Sequence, residues 1–200
     1  MSVWALVPVK PFALAKSRLA SLFSPPERAD LSQRLLSRTL VVLAETPGLA
    51  RTLVVSRDPA ALALAHQAGA LAWPEPDGAL DLNGALRAAR AAALAAGAQA
   101  VLALPADLPR LTPADVAALL PGGGEPAVVV APDRHGRGTN GLFLRPPDLI
   151  DFAFGPDSCR EHLARARGAG LRPSLCQRPN LALDLDTPED WAFEREYTSA

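Results

Sequence analysis

The sequence predicts an α/β fold: an open, mostly parallel mixed sheet with helices on both faces. Three observations lead there. Short, almost continuous apolar runs recur along the chain, as in strands buried on both sides. Between them lie stretches of helical periodicity, each opened by a start signal such as Ser24-Pro25-Pro26 or Asp58-Pro59. After about residue 125 the strands crowd together with loops between them, which predicts a mixed second half.

The elements follow in order. Val3–Val9 is the first strand, and the periodic stretch opened at Ser24 runs to Thr46. Thr52–Ser56 is a strand, Asp58-Pro59 opens a helix to Ala68, and Ala70–Trp73 is a strand. Asn83 caps a tightly packed Ala-rich helix to Ala96, which Gly97 ends. The strand Ala100–Leu104 precedes Thr112-Pro113, and Asp115 three residues on gives the form of a capping box. Ser158 with Glu161 and Thr187 with Asp190 repeat that spacing. The remaining strands are Ala127–Ala131, Thr139–Leu144, Pro173–Cys176 and Leu181–Leu185. No repeat or linker divides the chain, so residues 1–200 are expected to form one domain.

Composition removes several classes of function. A net charge of −1 leaves no footprint for nucleic acid or an acidic membrane. Every apolar run is shorter than the ~18 residues of a membrane span. The opening "MSVWALVPVKPF" has no basic region ahead of its apolar stretch and does not read as a signal peptide. Cys159 and Cys176 stand in no metal-ligand spacing and read as reduced thiols. A cytoplasmic protein is expected.

In open α/β sheets ligands bind beyond the carboxyl ends of the strands. Aspartates stand at two such places: Asp107 in "VLALPADLP", and Asp184 with Asp186 in "LALDLDTPED". Residues two apart on a strand share a face. Converging carboxylates repel by about 4 kcal/mol per pair at 4 Å and an effective dielectric near 20. A hard divalent cation with oxygen ligands, Mg²⁺, neutralises them economically. The structural alternatives are a turn cap for Asp107 and support of the helix start at Thr187-Pro188 for Asp186. A phosphatase D-x-D nucleophile is rejected, because only fourteen residues follow Asp186.

The first strand runs into "VPVKPFALAKSRLA", where Lys10, Lys16 and Arg18 cluster with no acidic residue before Glu27. A basic loop between a strand and a helix suits a polyphosphate, and a solvated basic turn is the alternative. It is neither a Walker loop nor a dinucleotide fingerprint, since both glycine patterns are absent. "DRHGRGTNG" is a glycine-rich loop able to approach a ligand with its backbone, and His135 within it is a weak general acid–base candidate. His66 and His162 are expected at the surface. "FGPDSCREHL" places Gly155 and Ser158 before a helix, where an anion or plain capping would satisfy the free N–H groups.

Taken together, "VPVKPFALAKSRLA", "LPADLP", "DRHGRGTNGLFLRPPDLI", "FGPDS" and "LALDLDTPED" resemble the guanylyltransferase family of deazaflavin coenzyme F-420 biosynthesis. The resemblance implies a nucleotidyltransferase fold of the molybdopterin-guanylyltransferase type. It implies transfer of GMP from GTP to the phosphate of a small phospho-acid, phosphoenolpyruvate or 2-phospho-L-lactate, with release of pyrophosphate. The product would pass to the transferase that joins it to the deazaflavin. An Ala-, Leu-, Pro- and Arg-rich composition suggests a bacterium, and bacterial members commonly take phosphoenolpyruvate, so that acid is expected. By the same resemblance, Asp107, Asp184 and Asp186 would hold the metal. Thr139, Gly155 and Ser158 would hold the phospho-acid. Lys10, Lys16, Arg18 and Asn83 would hold the nucleotide, with Lys16 and Asp107 the catalytic candidates. Residues 6–18 contain no glycine, unlike the opening loop of the wider pyrophosphorylase pattern, so side-chain cations would carry the triphosphate. The rival readings are a metal-dependent glycosyltransferase, which would carry its D-x-D after a middle strand, and a non-catalytic nucleotide-binding subunit, which would lack the metal ligands.

Overall fold

Val3–Val9 (β1) is apolar on both sides and is an inner strand, third in order, of a seven-stranded sheet. The structure, a computed structural model, describes residues 2–75 and 81–198. The further strands are Leu49–Ser56 (β2), Leu71–Pro74 (β3), Ala100–Ala103 (β4), Ala127–Pro132 (β5), Thr139–Arg145 (β6) and Ser174–Leu175 (β7). Their order across the sheet is β3-β2-β1-β4-β6-β5-β7. β1 runs parallel to both β2 and β4, and β2 parallel to β3. β6 is antiparallel to β4 and to β5, and the short β7 is parallel to β5. The expected mixed second half is therefore present, and one inverted strand, β6, produces it.

The helices are Pro25–Ala44 (α1), Pro59–Gln67 (α2), Leu82–Ala95 (α3), Pro113–Ala118 (α4), Ser158–Gly168 (α5), the single turn Pro179–Ala182 (α6) and Pro188–Thr198 (α7). Alternation along β1 assigns them to faces. Val3, Ala5 and Val7 pack in one cluster with Leu36 and Leu40 of α1, Ala61 of α2 and Val116 of α4. Trp4 and Leu6 pack in the other with Leu86 and Ala89 of α3 and Cys159 and Ala166 of α5. Burial on both faces is why the strands read as continuous apolar runs rather than as alternating ones.

Four local expectations are corrected. Leu181–Leu185 is not a strand. Pro179 opens a helical turn there, and the segment beyond it is extended but pairs with no strand. The alternation itself is real, since Leu181, Leu183 and Leu185 are buried. Asp81, not Asn83, caps α3, its carboxylate accepting from Gly84 N at 2.6 Å. Ser158 and Glu161 form no capping box. Asp157 holds the cap position without a side-chain bond, and Glu161 turns instead to Arg165 at 2.9 Å. His162 is fully buried, not a surface residue. By contrast, the boxes Thr112–Asp115 and Thr187–Asp190 close as expected, each serine-like hydroxyl and acid satisfying N–H groups that the first turn leaves free.

Candidate active site

Strand order reverses at β1, whose neighbours β2 and β4 lead the chain to opposite sides of the sheet. The crevice beyond the carboxyl ends of β1 and β4 is the position such folds offer a ligand. A cleft of about 130 Å³ opens there, lined by Pro8, Leu86, Asp107, Thr139, Phe154 and Asp184 among others.

The basic loop folds over this cleft without glycine. Phe12 is buried in the core, and its N–H donates to Asp58 Oδ2 at 2.7 Å; Leu19 is fully buried. Between these anchors Lys16 adopts a left-handed backbone with φ +54°. That conformation costs a non-glycine residue about 1–2 kcal/mol and persists where the surroundings impose it. Here it directs the Lys16 ammonium inward, with Nζ 2.5 Å from Asp107 Oδ2 and 3.8 Å from Asp186 Oδ1. Arg18 Nη1 lies 2.8 Å from Asp186 Oδ2. The Lys16 side chain is only 7% exposed and that of Arg18 72%, so the first pair is far less screened than the second. Lys10 is exposed at the end of β1 and forms no ion pair among the described residues.

Asp107 follows β4 through Leu104-Pro105-Ala106 and fastens the C-terminal segment: Leu185 N donates to its carbonyl at 3.0 Å. From β6, buried Asn140 donates to the carbonyls of Leu181 at 2.9 Å and Ala182 at 3.2 Å, and to Asp184 Oδ1 at 3.3 Å. These bonds replace the missing sheet pairing and bring Asp184 beside Asp107. Burial raises the Asp184 pKa above its ordinary value, and the Asp107 charge raises it further, against the Asn140 hydrogen bond that lowers it.

Three of the sequence-predicted aspartates thus gather, but not as a closed cage: among the described residues no three His, Cys, Asp or Glu side chains converge on one metal position. Lys16 stands between Asp107 and Asp186. One observation tests the fit of a hard cation directly. Asp107 Oδ1 is buried with no hydrogen-bond partner. A buried carboxylate oxygen left unpartnered is costly and calls for a ligand. The donor set is all oxygen, which suits Mg²⁺, an ion usually held by one or two carboxylates together with substrate phosphates.

Gly155 and Ser158 meet at the start of α5, where the Ser158 N–H donates to the Gly155 carbonyl at 3.2 Å, and Thr139 on β6 reaches α5 through His162. Gly155 has φ +145°, which a side chain would strain. Ser158 begins α5 and is buried, and its hydroxyl makes no hydrogen bond among the described residues. Thr139 Oγ1 lies 3.0 Å from His162 Nδ1. Asn83 does not reach into the cleft lining. It brackets Phe154, donating to its carbonyl at 2.9 Å and accepting its N–H at 2.7 Å. The glycine loop closes on itself: Asp133 accepts from the N–H of His135 and of Arg137, and a Cβ on Gly138 would strike its carboxylate at 2.8 Å. His135 is exposed.

Sequence reading missed Asn140 and His162. A signal existed for the second: Cys159, His162 and Ala166 recur at helical spacing on the buried face of α5. Asn140 gave none, because its partners lie 41 to 44 positions away.

Residues 3–193 match the model of a protein family described as guanylyl transferase CofC-like. A phosphoenolpyruvate guanylyltransferase of Rubrobacter xylanophilus is 50% identical over 96% of this chain and 93% of its own length. One of Conexibacter woesei is 42% identical over 98% of this chain and 88% of its own length. Among solved structures, a nucleotidyl transferase of Methanothermobacter superposes with a TM-score of 0.67 at 14% identity, covering 98% of this chain and 97% of its own. That likeness concerns the fold alone. Among the described residues no helix is long and apolar enough to cross a membrane.

Proposed function

The chain belongs to the CofC-like guanylyl transferase family and is a nucleotidyltransferase, and on that premise we propose that it transfers GMP from GTP to the phosphate of phosphoenolpyruvate in coenzyme F-420 biosynthesis. An oxygen of the acceptor phosphate attacks the α-phosphorus of GTP. The α–β anhydride bond breaks, and its electron pair leaves with pyrophosphate. The nucleophile is already an anion, so no general base is required, in keeping with the exposed position of His135 and the burial of His162. The names of the relatives favour phosphoenolpyruvate over 2-phospho-L-lactate.

The observation that carries this reading is the meeting of Lys16, Asp107 and Asp186 at the mouth of a cleft also lined by Asp184 and Thr139. The difficulty of the reaction is bringing two anions together, so positioning and positive charge do most of the catalysis. Lys16 and Arg18, with Lys10 at the rim, would hold the triphosphate. Asp107, through its unpartnered Oδ1, and Asp184 would hold Mg²⁺, with Asp186 joining them as Lys16 and Arg18 turn to the phosphates. The bound ion would neutralise phosphate charge as it develops. Thr139, Gly155 and Ser158 would seat the phospho-acid. Asn83 would act through Phe154, whose ring borders the cleft.

The test is pyrophosphate release from GTP, Mg²⁺ and each acid separately, then both in competition, with the products weighed by mass spectrometry. A guanylylated phosphoenolpyruvate as the main product, abolished by EDTA and restored by Mg²⁺, is expected. Release that needs no acid, or a product carrying only phospholactate, refutes this assignment.

A further inference from the structure

His162 has no place in the reaction just described, yet it is the only histidine among the described residues that is fully buried. Its two ring nitrogens have separate partners. Ala153 N–H donates to Nε2 at 3.0 Å, and Nδ1 faces Thr139 Oγ1 at 3.0 Å. A backbone N–H can only donate, so Nε2 is the unprotonated nitrogen. The ring is neutral, because burial and the nearby Arg165 hold its pKa down at about 4, outweighing Glu161. Its one N–H is therefore on Nδ1 and donates to Thr139 Oγ1. The Thr139 hydroxyl, thus occupied as an acceptor, has its own proton left to donate, and Thr139 lines the cleft.

We propose that His162 is a positioning residue that fixes Thr139 as a hydrogen-bond donor to the anionic phospho-acid. The inference rests on the reading that Thr139 binds that acid. The other two residues of that site lie close to His162 along the chain. Ala153 stands two residues before Gly155 on the segment 150–155. Ser158 lies one helical turn before His162 on α5, on the same buried face. The Phe154 ring, bordering the cleft, meets the imidazole edge-on with centroids 5.0 Å apart. One side chain of α5 thus ties β6 to the 150–155 segment. A threonine hydroxyl free to rotate could present a lone pair to a phosphate or carboxylate; this one is set to present its proton.

Two substitutions separate the two bonds. In His162→Asn the amide nitrogen can take the place of Nδ1 and donate to Thr139, while the Ala153 bond is lost. In His162→Gln the amide oxygen can take the place of Nε2 and accept from Ala153, while the donor to Thr139 is lost. Steady-state kinetics with GTP, phosphoenolpyruvate and Mg²⁺ are measured beside Thr139→Val and the His162→Gln/Thr139→Val double variant. His162→Gln is expected to raise KM for phosphoenolpyruvate about tenfold or more, with KM for GTP within about twofold. His162→Asn is expected to keep KM for the acid close to that of the parent while lowering Tm. The double variant is expected to be no worse than Thr139→Val alone.

Parallel rises in both KM values that track the loss of Tm, or additive effects in the double variant, overturn the proposal. A Thr139→Val variant with an unchanged KM for the acid removes the underlying reading and the proposal together; a raised value there with a normal His162→Gln removes the proposal only. Nitrogen-15 NMR of the imidazole in the unsubstituted protein gives a check independent of variant folding. Protonated Nδ1 at neutral pH is expected, and a proton on Nε2 overturns the assignment.

Discussion

Lys16 and Asp107 stand 91 positions apart in sequence and meet with Nζ 2.5 Å from Oδ2. Their pairing ties the loop after β1 to the loop after β4, the two strand ends where the chain's direction across the sheet reverses. The other oxygen of Asp107 is buried and unpartnered. One oxygen of this carboxylate therefore serves a cation of the protein, while the other has no partner among the described residues.

Asp107→Asn keeps the shape of that side chain and removes its charge. Pyrophosphate release should fall at least ~10²-fold, the scale of losing one key electrostatic group. A folded variant with a near-normal rate would remove Asp107 from the catalytic set.

Ser158→Ala tests the start of α5. Ser158 is buried but its hydroxyl caps nothing, so loss of that hydroxyl should leave Tm nearly unchanged. KM for the phospho-acid should rise more than KM for GTP. Equal changes in both constants would argue that Ser158 does not touch the acid.

Asn140→Leu addresses the clamp on the C-terminal segment. The carbonyls of Leu181 and Ala182 would lose their side-chain donor, at a cost of roughly 1–3 kcal/mol in urea unfolding. Asp184 would lose its tether too, and calorimetric titration should show weaker Mg²⁺–GTP binding. Unchanged stability and unchanged affinity would show that the clamp is dispensable.

The burial of His162 predicts a pH dependence of stability. Its folded pKa is about 4 against an ordinary 6.5, so the unfolded chain binds the proton more tightly. Between those values the unfolded state carries more protons, and stability falls as pH falls through the window. The contribution is fully present above about 6.5, is lost progressively towards about 4, and amounts to roughly 3 kcal/mol in all. His162→Gln should flatten that part of the profile in chemical denaturation at graded pH. A profile of unchanged steepness would show that other groups govern it.

Much of the architecture was legible because local chemistry and global fold agree. Val3–Val9, Ala100–Ala103 and the capping boxes at Thr112 and Thr187 follow from apolar runs and from side chains that satisfy N–H groups a few positions away. That Asp107 and the basic loop come together was legible as well, since they follow β4 and β1, which are neighbours in the sheet. Leu181–Leu185 misled because extended backbone and buried alternation look alike whether or not a neighbouring strand supplies hydrogen bonds. Here Asn140 and the Asp107 carbonyl supply them instead.

The sequence alone determined most of the sheet, its helical covering, the acidic and basic groups that follow the apolar runs and the family to which they point. Only the tertiary structure decided that Lys16 lies between two aspartates, that Asn83 holds Phe154, and that His162 is buried against Thr139. The reason is physical: periodicity reports which way a side chain faces relative to its own element. Which partner it meets depends on how distant elements pack, and that packing also sets burial and the proton's place on a ring.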